Sequence, residues 1–190
     1  EVPWNQMTVI VRNSALVSTY ARALAHANVP TRTHMSETSL QQHAVTRDMM
    51  MIVKMSLGRV IIDRDNAAEI LVSPFGGLSA LELRRLRLAF RHDRLADGEH
   101  ITGGDVIPEA LRDPTLFDAF DFAPARRAAR FAETLGLIKS QAANGSTIEE
   151  LLWTVWSRSG LATQWRDEAL SSGFLADEAN RNLDAVIALF

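Results

Sequence analysis

The sequence of 190 residues contains no cysteine. The chain therefore forms no disulfide and offers no thiolate to a metal ion, and because this absence fits a reducing compartment we predict a cytoplasmic location. It also has no apolar run of roughly eighteen residues, so we predict no membrane span. We find no secretory signal pattern and none of the motifs of P-loop NTPases, zinc proteases or serine hydrolases. The residues themselves therefore specify no catalysis.

Lysine is scarce, because eighteen of the twenty basic residues are arginine. Arginine suits bidentate contact with phosphate, but a codon preference would produce the same excess, and both interpretations stay open. The formal net charge of −3 argues against a protein that coats nucleic acid over its whole surface. Any contact with nucleic acid must therefore be local.

The beginning of the chain has the pattern of a strand, a helix and a second strand. Residues 7–12 (MTVIVR) form a short β-branched run that is typical of a buried strand. Residues 15–27 have helical spacing, Asn28 is a fair terminator, and residues 31–34 follow as a second extended segment. Since two strands are not stable alone, this β-α-β piece predicts a sheet that is completed by other residues.

The rest of the chain predicts only helices. Residues 41–57 read as one helix closed by Gly58, and no strand pattern follows it. Residues 96–104 are polar and glycine-rich, which predicts a surface loop. We therefore predict a mostly α protein with a β-α-β segment in residues 1–58 and an all-helical domain in residues 59–190. The chain has no initiating methionine and stops within a predicted helix, so we expect it to be a piece of a longer protein.

A glycine turn between two helices is the most informative stretch. Pro74 ends one helix, Gly76-Gly77 permits positive φ or close approach, and Ser79 with Glu82 has the spacing of a capping box. The amides at the start of the second helix would suit a phosphate. The alternative is an ordinary turn between two helices, and it stays open.

The helix that follows this turn carries a row of arginines at positions 84, 87, 91 and 94. At about 100° per residue they fall within an arc of roughly 80°. Another cluster, at positions 126, 127 and 130, lies at the beginning of a helix, where cations are disfavoured. We interpret that second cluster as a solvated face.

Three further patterns have a functional and a structural interpretation. Tryptophans 153, 156 and 165 could stack bases, but their helical phase favours a core. The methionines of residues 49–55 could form an adaptable binding surface, but core packing explains their spacing. His92 and His100 lack the spacing and the third ligand of a metal site. A further capping box is predicted at Ser146 and Glu149.

Several segments, in this order, resemble superfamily 1 DNA helicases of the UvrD/Rep/PcrA type. Residues 9–33 (VIVRNSALVSTYARALAHANVPTRT) resemble the family's strand, its Arg-Ser-Asn-like box and the following helix and strand. The turn of residues 73–79 is similar to the Thr-Pro-x-x-Gly-Ile-Gly turn of the inserted 2B subdomain. Residues 148–165 (IEELLWTVWSRSGLATQW) resemble a later helix that ends in Ser-Gly-Leu. The tryptophans and the arginine-rich turn look most like a helicase–nuclease branch.

The resemblance implies the end of a RecA-like 2A domain, followed by a 2B accessory subdomain that contacts or gates duplex DNA. The parent protein would be an ATP-driven 3′→5′ helicase in DNA repair or recombination, with ATP and Mg²⁺ bound by residues outside this chain. No cofactor is expected in the fragment, which would be inactive alone. Its expected partners are DNA, bound without sequence specificity, the rest of the helicase chain, and a partner helicase–nuclease subunit.

The resemblance also supplies site residues. Arg12 and Asn13 match the box that faces single-stranded DNA, although the residues alone favour the alternative that Asn13 or Ser14 caps the helix and Arg12 lies in solvent. Gly77, Leu78 and Ser79 match the turn whose amides meet duplex phosphates. Ser79 departs from the family's glycine, and Gly76 stands where a basic residue is frequent, so Arg84 and Arg87 are candidates to supply the charge. The alternative function is a helical protein-interaction domain that docks a partner subunit without contacting DNA.

Overall fold

The computed structural model describes residues 3, 6–13, 16–31, 43–96, 98 and 102–190. This part of the chain contains nine α-helices and no strand, so the prediction of a mostly α protein is confirmed. The helices are α1 (Val17–His26), α2 (Ala44–Ser56), α3 (Arg64–Val72), α4 (Ala80–Ala96), α5 (Gly103–Arg112), α6 (Ala123–Ala143), α7 (Ile148–Ser159), α8 (Leu161–Ala169) and α9 (Phe174–Leu189), and a short 3₁₀ helix spans Pro114–Phe117. Two compact units are present, Glu1–Thr38 and Ser39–Phe190.

The first unit does not contain the predicted strand at residues 7–12. These residues have no regular secondary structure, and Ile10 is 92% exposed. A strand needs a partner for its amides and carbonyls, and no described residue forms one. The second predicted strand lies outside the described residues except for Thr31, which is irregular. Helix α1 is confirmed, and Asn28 after it has a φ of 55°.

Helix α2 lies at the centre of the second unit, where it packs against α6, α7 and α9. The side chains of Met49, Ile52 and Val53 are at most 1% exposed. The methionine pattern therefore reflects core packing and not a binding surface. The boundary between the units falls at residues 38 and 39 rather than after residue 58 because this helix packs with the C-terminal helices.

The turn between α3 and α4 is held by a close backbone contact at Gly76. A Cβ at this position would lie 2.4 Å from both the Cα and the carbonyl oxygen of Leu71. Only glycine allows the chain to double back this closely over the end of α3. Its neighbour Gly77 has a φ of 66°, and a Cβ there would make only an ordinary contact with the Pro74 carbonyl oxygen at 3.9 Å. Gly76 is therefore required because a side chain would not fit, and Gly77 because its φ is positive.

Helix α5 begins inside the stretch that the sequence predicted to be a surface loop. Gly103 and Gly104 are buried, and a Cβ on Gly103 would lie 1.8 Å from the carbonyl oxygen of Arg87. The loop prediction is wrong at these two residues because both pack against other helices: Gly103 lies against the Arg87 backbone of α4, and a Cβ on Gly104 would lie 2.8 Å from the Nε of Arg64 in α3. Arg94 at the end of α4 donates to the Glu109 carboxylate of α5 at 3.1 Å.

The C-terminal helices bury two of the three tryptophans of α7 and α8. Trp156 and Trp165 are 8% and 4% exposed, and their ring centroids are 5.6 Å apart. Trp153 is 57% exposed and meets Phe190 edge to face. The capping box of α7 is formed by Thr147 and Glu150, one residue later than predicted. None of the helices in the described part combines the length and the apolarity that crossing a bilayer requires.

The two glycines of the turn should respond differently to alanine. We expect Gly76→Ala to lower the free energy of unfolding by about 3 kcal/mol, because its Cβ meets backbone that cannot rotate away. Gly77→Ala should cost about 1–2 kcal/mol, the strain of a left-handed residue. Gly136→Ala, inside α6 with open space around it, is the control and should stabilise by up to about 1 kcal/mol. Urea unfolding measures all three, and equal costs at Gly76 and Gly77 would contradict the close contact.

Candidate functional site

The amides of the glycine turn are already bonded within the protein. The Gly76 and Gly77 amides donate to the Ser73 carbonyl at 3.1 and 2.9 Å, and the Leu78 amide donates to the Leu71 carbonyl at 3.0 Å. The Ser79 amide donates to the Glu82 carboxylate at 2.8 Å. The side chain of Leu78 is also buried. The amide contact with phosphate that was predicted at Gly77, Leu78 and Ser79 therefore has no free donor in this geometry.

The Glu82 carboxylate occupies the position that a bound anion would take at the start of α4. It accepts hydrogen bonds from the amide and the hydroxyl of Ser79, which is the predicted capping box. It also pairs with Arg127 at the start of α6. The Ser79 amide first, and then the Arg127 guanidinium and the Ser79 hydroxyl, hold the pKa of Glu82 below its usual value. The carboxylate is therefore charged at neutral pH and satisfies the helix terminus from inside the protein.

Three of the arginines of α4 lie on the side of the helix opposite to Glu82. We call Arg84, Arg87 and Arg91 the α4 arginine face. Arg84 and Arg91 are exposed and Arg87 is half-buried, and no carboxylate of the described residues lies within ion-pair distance of any of them. At about 100° per residue they lie roughly 140–180° around the helix from Glu82. The fourth predicted member, Arg94, is bonded to Glu109.

A second group of arginines lines a cleft on the Glu82 side of α4. The arginine cleft has a volume of about 350 Å³ and lies between the glycine turn and helices α6, α7 and α8. Its cations are Arg127 and Arg130 of α6 and Arg158 of α7, and its apolar wall includes Phe131 and Leu161. Sequence analysis interpreted the first two as a solvated face and did not single out Arg158. Only the packing of α7 against α6 brings them together.

Two of the three cleft arginines have internal partners and one does not. Arg127 pairs with Glu82, while its buried Nε has no hydrogen-bond partner. The Nε of Arg158 donates to the Thr134 hydroxyl at 3.0 Å, and its Nη2 lies 3.8 Å from the Glu133 carboxylate. Arg130 is exposed and makes no ion pair with any described residue. The cleft therefore contains oriented guanidinium groups and an excess of positive charge.

The predicted single-strand residues lie in the first unit. Arg12 and Asn13 are both exposed, and the Asn13 carbonyl accepts the Leu16 amide at 3.0 Å in the turn that leads into α1. They do not follow a strand, so the argument that a sheet edge positions them is wrong. Their contact with single-stranded DNA stays a prediction from the resemblance alone.

The residues of this chain do not fit Mg²⁺-ATP. The sequence has no phosphate-binding loop motif, and in the described ranges no three acidic or histidine side chains are arranged to hold a metal ion. We therefore derive no hydrolytic step from these residues. What the two arginine groups can do chemically is bind anions, and phosphate in particular.

The scan against protein-family models finds no family that matches the chain. The search of curated proteins likewise finds no significant match.

The depressed pKa of Glu82 predicts a pH-dependent loss of stability. A carboxylate whose pKa is lower in the folded state stabilises the fold above its unfolded pKa, and this contribution is lost as the pH falls through its folded pKa. Glu82→Gln keeps the capping geometry and removes the charge. We expect wild type to be more stable than the variant at neutral pH and the difference to shrink below about pH 4.3.

Urea unfolding across the acidic range measures this difference. Glu178→Gln, at an exposed position of α9, controls for the loss of one negative charge. A stability difference for Glu82→Gln that does not change with pH would contradict the ion pair and the charged cap.

Proposed function

We propose that this chain is part of an ATP-driven 3′→5′ DNA helicase of the UvrD/Rep/PcrA type, and that its helical unit contacts duplex DNA ahead of the motor. In this proposal the residues that bind ATP and Mg²⁺ lie elsewhere in the parent protein. The parent acts in cytoplasmic DNA repair or recombination, with a helicase–nuclease subunit as a possible partner. The β-α-β segment forms no part of the proposal, because residues 7–12 are not a strand.

The observation that carries the proposal is the α4 arginine face. Three arginines on one side of a helix make no ion pair with the described residues, although the chain is acidic overall, with a net charge of −3. Most of the other arginines of the second unit have carboxylate partners, for example Arg126 with Asp121 and Arg166 with Asp167. Cations that an acidic protein leaves unpaired in a row favour an external anion with repeated charge, such as a DNA backbone.

The amides of the glycine turn have a different role in this proposal from the one the resemblance implies. They hold the turn together, and so fix the direction in which α4 leaves it. In this proposal the guanidinium groups of the α4 arginine face contact the DNA. Guanidinium groups bind phosphate well, and phosphate contacts carry no sequence preference. The expected binding is weak, independent of sequence and sensitive to salt.

Charge reversal on the α4 arginine face tests the proposal. We expect contacts with about two to four phosphates. A plot of the logarithm of the binding constant against the logarithm of the salt concentration should then have a slope of roughly −2 to −4. Arg84→Glu with Arg87→Glu should weaken binding of a short blunt duplex by at least about tenfold at low salt and reduce the slope by about 2. Fluorescence anisotropy with labelled duplex measures both quantities.

The matched control is Arg126→Glu with Arg166→Glu, which changes the net charge equally at exposed positions away from this face. It should reduce affinity much less, since only the global charge changes. If both double variants bind duplex equally, or if the α4 variant binds as wild type does, the proposed contact is refuted.

A protein-interaction domain is the second candidate function, and exposed aromatic and aliphatic side chains on α7 and α9 favour it. Trp153 and Phe190 contact each other with ring centroids 5.6 Å apart, and Ile187 on the same side of α9 as Phe190 is 73% exposed. Aromatic residues are enriched where proteins bind each other. Partner binding that is insensitive to salt and is lost in Trp153→Ala, in a protein that does not bind duplex, would favour this function over DNA contact.

A further inference from the structure

The arginine cleft is separate from the α4 arginine face and has the composition of a ligand site. Its residues come from the glycine turn and four helices, α2, α6, α7 and α8, so it exists only in the folded second unit. A volume of about 350 Å³ lies near the lower end of the roughly 300–1,000 Å³ that ligand pockets occupy. Apolar side chains such as Phe131 and Leu161 form part of its wall.

The charge of the cleft indicates an anionic ligand. Three arginines line it and no aspartate or glutamate does. Glu82 and Glu133 do not line the cleft, but they pair with two of its arginines, Arg127 and Arg158. Arg130 is not paired with any described residue. The Nε of Arg127 is buried and has no hydrogen-bond partner among the described residues.

The donors suit a phosphate group. A terminal phosphate presents three acceptor oxygens, and the guanidinium groups of Arg130 and Arg158 each present several donors that can bond to them at once. Thr134 fixes the Nε of Arg158 at 3.0 Å, and so orients its terminal nitrogens before a ligand arrives. Gln164 and Ser159 add neutral polar groups to the lining.

We propose that the arginine cleft is a binding site for a phosphate monoester, in which Arg130 and Arg158 hold the phosphate. The ligand is either a phosphorylated end of a DNA strand or a free phosphorylated molecule of about nucleotide size. Both present the same chemistry to the cleft. The site does not depend on the α4 arginine face, with which it shares no residue.

Titration calorimetry of the 190-residue chain with inorganic phosphate and with a mononucleotide lacking Mg²⁺ tests the site. Wild type should bind both, and Arg130→Ala should weaken binding by about tenfold or more, the loss expected for a charge-assisted hydrogen bond. Arg126→Ala, one turn earlier on the same helix and outside the lining, is the matched control and should bind as wild type does. Thermal unfolding of each variant verifies that it is folded.

A second pair of ligands identifies the source of the phosphate. Single-stranded oligonucleotides of one sequence with a 5′-phosphate or a 5′-hydroxyl are compared in wild type and Arg130→Ala. Tighter binding of the phosphorylated strand, lost in the variant, supports the site and assigns it to strand ends. Equal binding of both strands, together with mononucleotide binding that Arg130→Ala weakens, supports the site and assigns it to a free molecule.

The phosphate site and the proposed duplex contact can each be refuted without refuting the other. Arg84→Glu with Arg87→Glu should weaken duplex binding by at least about tenfold and leave phosphate binding in the cleft intact. The cleft proposal is overturned if folded wild type binds neither phosphate nor the mononucleotide at millimolar concentration, or if Arg126→Ala and Arg130→Ala weaken binding equally.

Discussion

The Glu82 carboxylate is the interaction on which the arrangement of both arginine groups depends. It begins α4 by accepting the Ser79 amide at 2.8 Å, and it ties that helix to α6 through Arg127. Because one side chain makes both contacts, the direction of α4 is fixed relative to the first turn of α6. The α4 arginine face lies on the side of the helix opposite to Glu82, and Arg127, which pairs with Glu82, lines the arginine cleft.

The sequence predicted those features that depend on neighbouring residues. Asn28 and Gly58 end helices in the left-handed conformation expected of them, and Ser79 with Glu82 forms the expected capping box. The apolar spacing of α2 correctly predicted a buried side, and its methionines are core residues. These features could be predicted because caps and helical faces are decided within a few residues along the chain.

The failed predictions depended on residues far apart in the sequence. Residues 7–12 have strand propensity, but a strand exists only if another strand pairs with it, and none of the described residues does. Gly103 lies in a polar, glycine-rich stretch that is typical of a loop. It is nevertheless buried at the start of α5, where the Arg87 backbone lies directly against it. The arginine cleft joins Arg130 to Arg158 across the crossing of α6 and α7, which no local pattern reveals. The predicted amide contact with phosphate is a different case, because bonds between near neighbours occupy the amides: Ser79 donates to Glu82, which was correctly predicted as a cap, and Gly76, Gly77 and Leu78 donate to the Ser73 and Leu71 carbonyls.

The central claim is tested most directly by chemical modification of arginines with a dicarbonyl reagent, followed by mass spectrometry. The modification is carried out with and without a duplex whose ends carry 5′-hydroxyl groups. Contact through the α4 arginine face predicts that DNA protects Arg84 and Arg91, and that the reactivity of Arg126 and Arg130 does not change. Protection of Arg126 or Arg130 without protection of Arg84 and Arg91, or no protection of any arginine under conditions where the duplex is bound, would contradict it.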